Sequence, residues 1–332
     1  MGAVGQDRAG GTLMDLTLTE DQELIRRTAR EFLAAHAAGA SARAAAGDPA
    51  GWSSALWKEI VELGWTGLAF DSSLGGGFLE ACLLVEEFGR FAVPSPFATT
   101  VSCGMAVESV REEITAGRIY TFASTVDGVA DLVPYAADAD GFVVAAGDSV
   151  YLVDAAGVEV SRQDVVGLDP RYRVRFPSLP DSPLPVSAAA VRELGAAAVC
   201  AEMVGGAQAV LDRTVEYATQ REQFGKPIGA FQAVQHHCAN MAIDVLGSRF
   251  IAYEAIWRLG RGLPAATEVA VAKSWVSEAY QRVCATGHQL HGAIGFTAEH
   301  DLHYYTRHAI STALAFGDAD THTEALAQQL GI

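Results

Sequence analysis

A chain of 332 residues, 50% apolar and 19% charged, can bury a large core and has room for one big domain or two to three smaller ones. Forty acidic against 23 basic residues leave a net charge of -17, which argues against nucleic acid or an anionic membrane as partner, since both need a basic footprint. No apolar run reaches the roughly eighteen residues that span a bilayer.

Residues 1–14 (MGAVGQDRAGGTLM) lack the apolar centre of a signal peptide and read as a flexible tail, so the expectation is a cytoplasmic protein. From Thr19 to about His36 the pattern is helical: Thr19 and Gln22 suit a capping box, and Leu24, Ile25, Thr28 and Phe32 share a face. Ser54–Leu63 reads as a second helix stopped by Gly64, and Leu79–Phe91 as a third, ended by Pro94 and Pro96. These define an N-terminal helical domain over 15–116. Over 117–185 the text turns strand-like, with RIYTFAS, GFVVAA, SVYLVDA and YRVRFPSL, and GFVVAAGDSVYLV predicts a hairpin turning at Gly147 and Asp148. From 186 to 332 helix returns as four segments, Ser187–Gln220, Phe231–Gly260, Pro264–His291 and His300–Phe316, whose short links predict a four-helix bundle. Cys82, Cys103, Cys200, Cys238 and Cys284 are scattered and never form a CxxC pair, so buried thiols are expected rather than disulfides or zinc ligands.

Two segments join polar groups to glycines on long helical patterns: REQFGKPIGAFQ (Arg221–Gln232) and QLHGAIGFTAEH (Gln289–His300). Helix ends carrying such groups predict contact with a phosphate-bearing cofactor. With LTEDQELIRRTAREFL, LWKEIVELGWTGLAF and LLVEEFGRF near the N-terminus, these stretches resemble the acyl-CoA dehydrogenase family from Leu18 to about Asp318. The resemblance implies a mainly α fold: N-terminal helical domain, middle β-barrel-like domain and C-terminal four-helix bundle.

It also implies FAD at a subunit interface, acyl-CoA as substrate and an electron-transfer acceptor as redox partner. In the family one subunit holds the flavin ring while its neighbour supplies an arginine, polar and aromatic residues, and a glutamine-glycine turn for the pyrophosphate and adenosine. Arg221, Gln223 and Phe224 match the first group, and Gln289 with Gly292 the second. Ala293 stands where a second glycine is usual, and its methyl group is expected to crowd the adenosine side. Guanidinium pairs bidentately with phosphate oxygens, and a glycine turn lets backbone N–H groups approach closely. The internal alternative has Arg221 paired with Glu222 or Asp244, and Phe224 and Phe231 in the core.

Family members abstract the substrate's α proton with a glutamate placed either late, after the last long bundle helix, or early, on the first one. The late site here reads Ala315, Phe316, Gly317, Asp318, and the early one is Gly195; neither position carries an acid. Asp318 is displaced by two residues. Glu202 is about 10 Å further along the helix than Gly195, and Glu193 reads as solvated or capping. The threonine-glutamate-proline loop and tryptophan strand that cradle the flavin ring are missing between Ile119 and Phe176. His288 with His291, and His300 with His303, have metal-chelating spacing but no third ligand, so no metal is expected.

The resemblance therefore points to a short, non-catalytic subunit of a heteromeric, actinobacterial steroid-type acyl-CoA dehydrogenase. It would complete the FAD site of a catalytic homologue in a hetero-oligomer of α2β2 type. A self-sufficient enzyme using Asp318 or Glu202 as base, and a non-redox scaffold or binding protein of the same fold, are the alternatives.

Overall fold

A computed structural model describes residues 17–40, 42–71 and 75–332, the side chains of 37–40 excepted. The tail expected over 1–14 lies outside the described residues. The capping box at the start of α1 (Glu20–Ala40) forms as the spacing predicts: Gln22 N–H donates to Thr19 Oγ1 at 3.2 Å, and Thr19 N–H to Gln22 Oε1 at 2.9 Å. After the short α2 (Ala42–Ala45), α3 (Ser54–Glu62) is capped by Ser53 and stops at Gly64, whose φ of 74° suits a residue without Cβ. Then come α4 (Phe78–Arg90), α5 (Phe97–Ala106), which the sequence reading lacks, and the short α6 (Arg111–Thr115).

The middle region forms two three-stranded sheets. In the first, β1 (Tyr120–Thr125) runs parallel to β3 (Gly141–Ala146), which pairs antiparallel with β4 (Ser149–Asp154) through the expected turn at Gly147 and Asp148. In the second, β6 (Arg171–Arg175) lies between β2 (Val129–Pro134) and β5 (Glu159–Gln163). The sequence reading missed β2 and β5.

In the last region α7 (Ala188–Gln220) runs through the centre, against α4, α5, α8 (Gln232–Gly260) and α9 (Ala266–His291). It is long and apolar enough to cross a membrane by composition, yet it is largely buried within the protein. A glycine on each helix explains the tight crossing of α7 with α4: a Cβ on Gly205 of α7 would stand 1.8 Å from the Glu86 carbonyl oxygen, and one on Gly89 of α4 1.9 Å from that of Glu202. Two buried carboxylates of α4 tie it to α1 and to α8: Glu87 pairs with Arg30 at 2.6 Å, and Glu86 with Arg249 at 2.6 Å and the Tyr253 hydroxyl at 2.5 Å. The last predicted helix, His300–Phe316, is followed by one the sequence reading lacks. α10 (Leu302–Leu314) ends before Phe316, and α11 (Ala319–Leu330), a fifth helix, packs on α9.

Candidate functional site: an exposed arm and a sealed crevice

The end of α7 and the end of α9 meet. Tyr217, one turn before Arg221, stacks on His291 with ring centroids 4.4 Å apart, and its hydroxyl lies 3.4 Å from the His291 carbonyl oxygen. This contact brings the two cofactor-type segments to one end of the bundle. Both segments leave helix C-termini, whose exposed carbonyls repel an anion. Helix dipoles alone would not hold phosphate there, and the positive charge has to come from side chains.

Past Arg221 the chain makes a tiny hairpin, β7 (Glu222–Gln223) against β8 (Lys226–Pro227), turning at Phe224 and Gly225 with φ of 54° and 78°. A left-handed conformation is a real strain for a bulky aromatic, and Phe224 bears it while 92% exposed. The internal alternative fails. Asp244 pairs with Arg282 at 2.9 Å, whereas the exposed Arg221 side chain forms no ion pair or hydrogen bond among the described residues. Phe224 only touches Phe231 edge-on, 6.1 Å between centroids, and Phe231 carries Lys226 Nζ 4.4 Å above its ring. Lys226 is a second cation that sequence reasoning passed over. Gln223 is turned onto the Glu222 carbonyl oxygen at 2.7 Å. Gln289 and Ala293 are exposed, and Gly292, at φ 65° and ψ -145°, has open space where a Cβ would be. An unpaired guanidinium, a strained exposed aromatic and an open glycine turn fit a phosphate- and ring-bearing cofactor such as FAD, approached from outside this chain.

The crevice where a catalytic acid would stand is closed. A Cβ on Gly195 would lie 2.1 Å from the Phe316 ring, which also stacks on Phe122 at 5.5 Å. Phe316 thus takes up the space a side chain at the early site would need, on a turn with φ of 56° followed by Gly317 at 98°. The turn is clamped from below by the buried Lys273, whose Nζ donates to the carbonyl oxygens of Ala313 at 2.7 Å and Gly317 at 2.8 Å. Desolvation lowers this lysine to about 8. The sequence did carry a signal for it, a lone cation within the apolar run VAVAKSWV.

Both weak acid candidates are occupied. Glu202 accepts from the buried His308 Nε2 at 2.9 Å. Burial disfavours the His308 imidazolium, but the hydrogen bond and charge of Glu202 raise it overall. Asp318 caps α11, accepting from the Thr321 backbone N–H at 2.9 Å and hydroxyl at 2.6 Å, and those bonds hold its carboxyl low. Glu193, expected to be solvated or capping, is half-buried, and burial raises its carboxyl; the α7 cap is Ser187. Of the paired histidines, His291 Nδ1 donates to the Gly287 carbonyl oxygen of its own helix at 2.8 Å, and His288 Nε2 bonds the Thr306 hydroxyl at 2.8 Å.

Residues 19–114 match the family model for the acyl-CoA dehydrogenase N-terminal domain, and residues 189–331 that for the C-terminal domain. The acyl-CoA dehydrogenase IpdE2 of Mycobacterium tuberculosis is 32% identical over 90% of this chain and 93% of its own length. Among solved structures, the ChsE4-ChsE5 complex from Mycobacterium tuberculosis aligns with a TM-score of 0.83 at 25% identity, covering 96% of this chain and 99% of that one. A Tcur3481-Tcur3483 steroid ACAD variant aligns with a TM-score of 0.84 at 24% identity, over 94% and 98%.

Proposed function

This chain belongs to the acyl-CoA dehydrogenase family, whose members are oxidoreductases acting on CH–CH groups, and from that premise we propose that it is the FAD-completing, non-catalytic subunit of a heteromeric acyl-CoA dehydrogenase. The observation that carries the reading is the contrast between an arm with unspent binding groups and a crevice with no free acid. When bound, the flavin supplies the hydride acceptor for the α,β-desaturation of the acyl-CoA thioester. Arg221 would pair with a pyrophosphate oxygen, the Gly292 turn would offer backbone N–H groups, and Gln223, Phe224, Gln289 and Ala293 would line the adenosine side. Proton abstraction would fall to a glutamate of the catalytic homologue, because Glu202 and Asp318 are both engaged in structural bonds.

Two further observations support a protein partner. Ile243, Leu246 and Phe250 form an exposed apolar stripe along α8, and Trp275 and Val271 add to it from α9. A solved relative, ChsE4-ChsE5, is itself a complex of two proteins. We infer an α2β2 assembly and, from the actinobacterial steroid-type resemblance, a bulky acyl group such as a steroid side chain. The test is flavin absorbance of the purified chain, alone and after coexpression with a full-length homologue that carries the glutamate. Colour is expected only in the coexpressed complex; stoichiometric FAD in the lone chain would overturn the reading.

A further inference from the structure

A cavity of about 530 Å3 opens between β1, β2, the 165–167 loop and the end of α10, well within the size range of small-molecule sites. It does not involve the FAD-facing arm. Its floor is the stacked pair Phe122 and Phe316. Its mouth is rimmed by large apolar side chains left in solvent: Val166, 70% exposed, with Leu314, Leu132 and Val165. Two lining residues, Leu132 and Phe316, hold left-handed backbone at φ 57° and 56°, a strain that gathers at ligand sites.

Two guanidinium groups stand among these apolar walls. Arg192, half-buried on the second turn of α7, has no hydrogen bond or ion pair among the described residues. Arg171 is 12% exposed and held only by long contacts, 3.3 Å to the Leu132 carbonyl oxygen, 3.5 Å to that of Ser311 and 3.5 Å to Asp169. The one carboxylate in the lining, Asp131, is already engaged by Arg173 at 2.6 Å and Gln163 at 2.9 Å. In a chain of net charge -17, a pair of under-used cations in an apolar hollow asks for an anion that brings its own apolar body.

We propose that this cavity binds a small organic anion: a free carboxylate, facing Arg192 and Arg171, on an apolar body that rests on Phe122 and Phe316. A thioester does not answer the same description. Its reacting end is uncharged, whereas a carboxylate pairs bidentately with a guanidinium group in a partly desolvated site. Phe316 sets the depth. It separates this cavity from a small inner hollow beside Ser95, Thr99 and Glu202, where the buried Thr99 hydroxyl has no partner among the described residues.

Isothermal titration of the full-length chain, in the assembly in which it purifies, tests this with octanoate, octanol and octanoyl-CoA as probes. Octanoate should bind at least tenfold more tightly than octanol, and Arg192→Gln should weaken octanoate at least tenfold while leaving octanol and any octanoyl-CoA binding unchanged. Phe316→Ala should move the preference from octanoate toward dodecanoate by opening the inner hollow. Should that variant fail to fold, Arg192→Gln still decides, because Arg192 makes no structural bond to lose. No octanoate binding, octanoyl-CoA binding that Arg192→Gln also weakens, or an unchanged octanoate affinity in Arg192→Gln would each overturn the proposal. None of these outcomes depends on flavin content, so the proposal can fail while the heteromer reading stands.

Discussion

The two ends of the candidate site have been built by opposite rules. At the α7–α9 end, polar groups and an aromatic ring are held in exposed, partly strained positions with no partner inside the chain: Arg221 is unpaired, and Phe224 pays the left-handed penalty without being buried. At the Gly195–Phe316 end, Glu202 and Lys273 are each hydrogen-bonded within the chain, and the Phe316 ring has taken the space of a catalytic side chain. Strain is retained where a group faces outward and accompanies tight packing where it faces in. The difference teaches that one part of a fold can become structural core while another keeps geometry that makes sense only with something docked on it.

The most severe way to break this contrast is to force an acid back into the crevice. Gly195→Glu drives a charged side chain into the Phe316 ring, combining overpacking with burial of an unpaired charge. It should cost roughly 3 kcal/mol or more of folding stability, measured by urea denaturation. Adding Phe316→Ala should recover a good part of that loss, because the two sites share one space. A tolerated Gly195→Glu in the parent background would show the crevice to be soft.

The outward region should respond in the opposite manner. Arg221→Ala removes a group that touches nothing in this chain, so the flavin-free protein should keep its stability to within about 0.5 kcal/mol. In the assembled complex the same change should weaken FAD by about 2 kcal/mol, or roughly thirtyfold, the typical loss for a charge-assisted contact in an interface. Flavin retained after dialysis would reduce Arg221 to a surface residue.

How much of this was legible in the sequence depended on whether the signal was local. The Thr19–Gln22 box, the Gly147–Asp148 turn and the main bundle helices were read correctly because cap, turn and period lie within a few residues. The Asp127-Gly128 pair is an equally local turn signal, with both residues at positive φ, yet it was passed over together with β2 beyond it, which contains Asp131 and Pro134. β5 is almost wholly exposed, with no apolar face to alternate. α5 is buried on nearly all sides, so it lacks amphipathic contrast and is further masked by Thr99, Thr100 and Val101. Asp318 was weighed as a base when it is the N-cap of an unforeseen helix. The meeting of Gly195 with Phe316, and of Lys273 with Gly317, joins distant parts of the chain and leaves no periodic trace.

A smaller effect comes from the buried pair of Glu202 and His308. The folded imidazole titrates above its ordinary value near 6.5, so the unfolded chain loses its proton first as pH rises. The stability this pair contributes is therefore fully present below about 6.5 and is lost as pH climbs through the folded value. Urea midpoints of the parent should fall between pH 6 and pH 8 relative to Glu202→Gln, in which the partner charge is gone. The window stops there because Lys273, lowered by burial to about 8, adds stability with rising pH beyond that point. A parallel pH profile in parent and variant would mean that the pair carries no charge.

The smallest expected effect falls on Asp318, and it is the one that discriminates best between the enzyme readings. Asparagine caps a helix nearly as well as aspartate, so Asp318→Asn should keep the bonds to Thr321 and change stability by less than about 0.5 kcal/mol. If the proton is taken by a glutamate of the partner, turnover of the assembled complex should also change only modestly, whereas loss of a true base lowers kcat by roughly a hundredfold or more. The geometry favours the first outcome: the half-buried Asp318 carboxylate is committed to a cap, and its proton affinity is lowered, which makes it a weaker base. Acyl-CoA oxidation with an electron-accepting dye at saturating substrate measures the difference. A collapse of kcat with flavin still bound would place the base in this chain and make the interior crevice, not the outer arm, the region that acts.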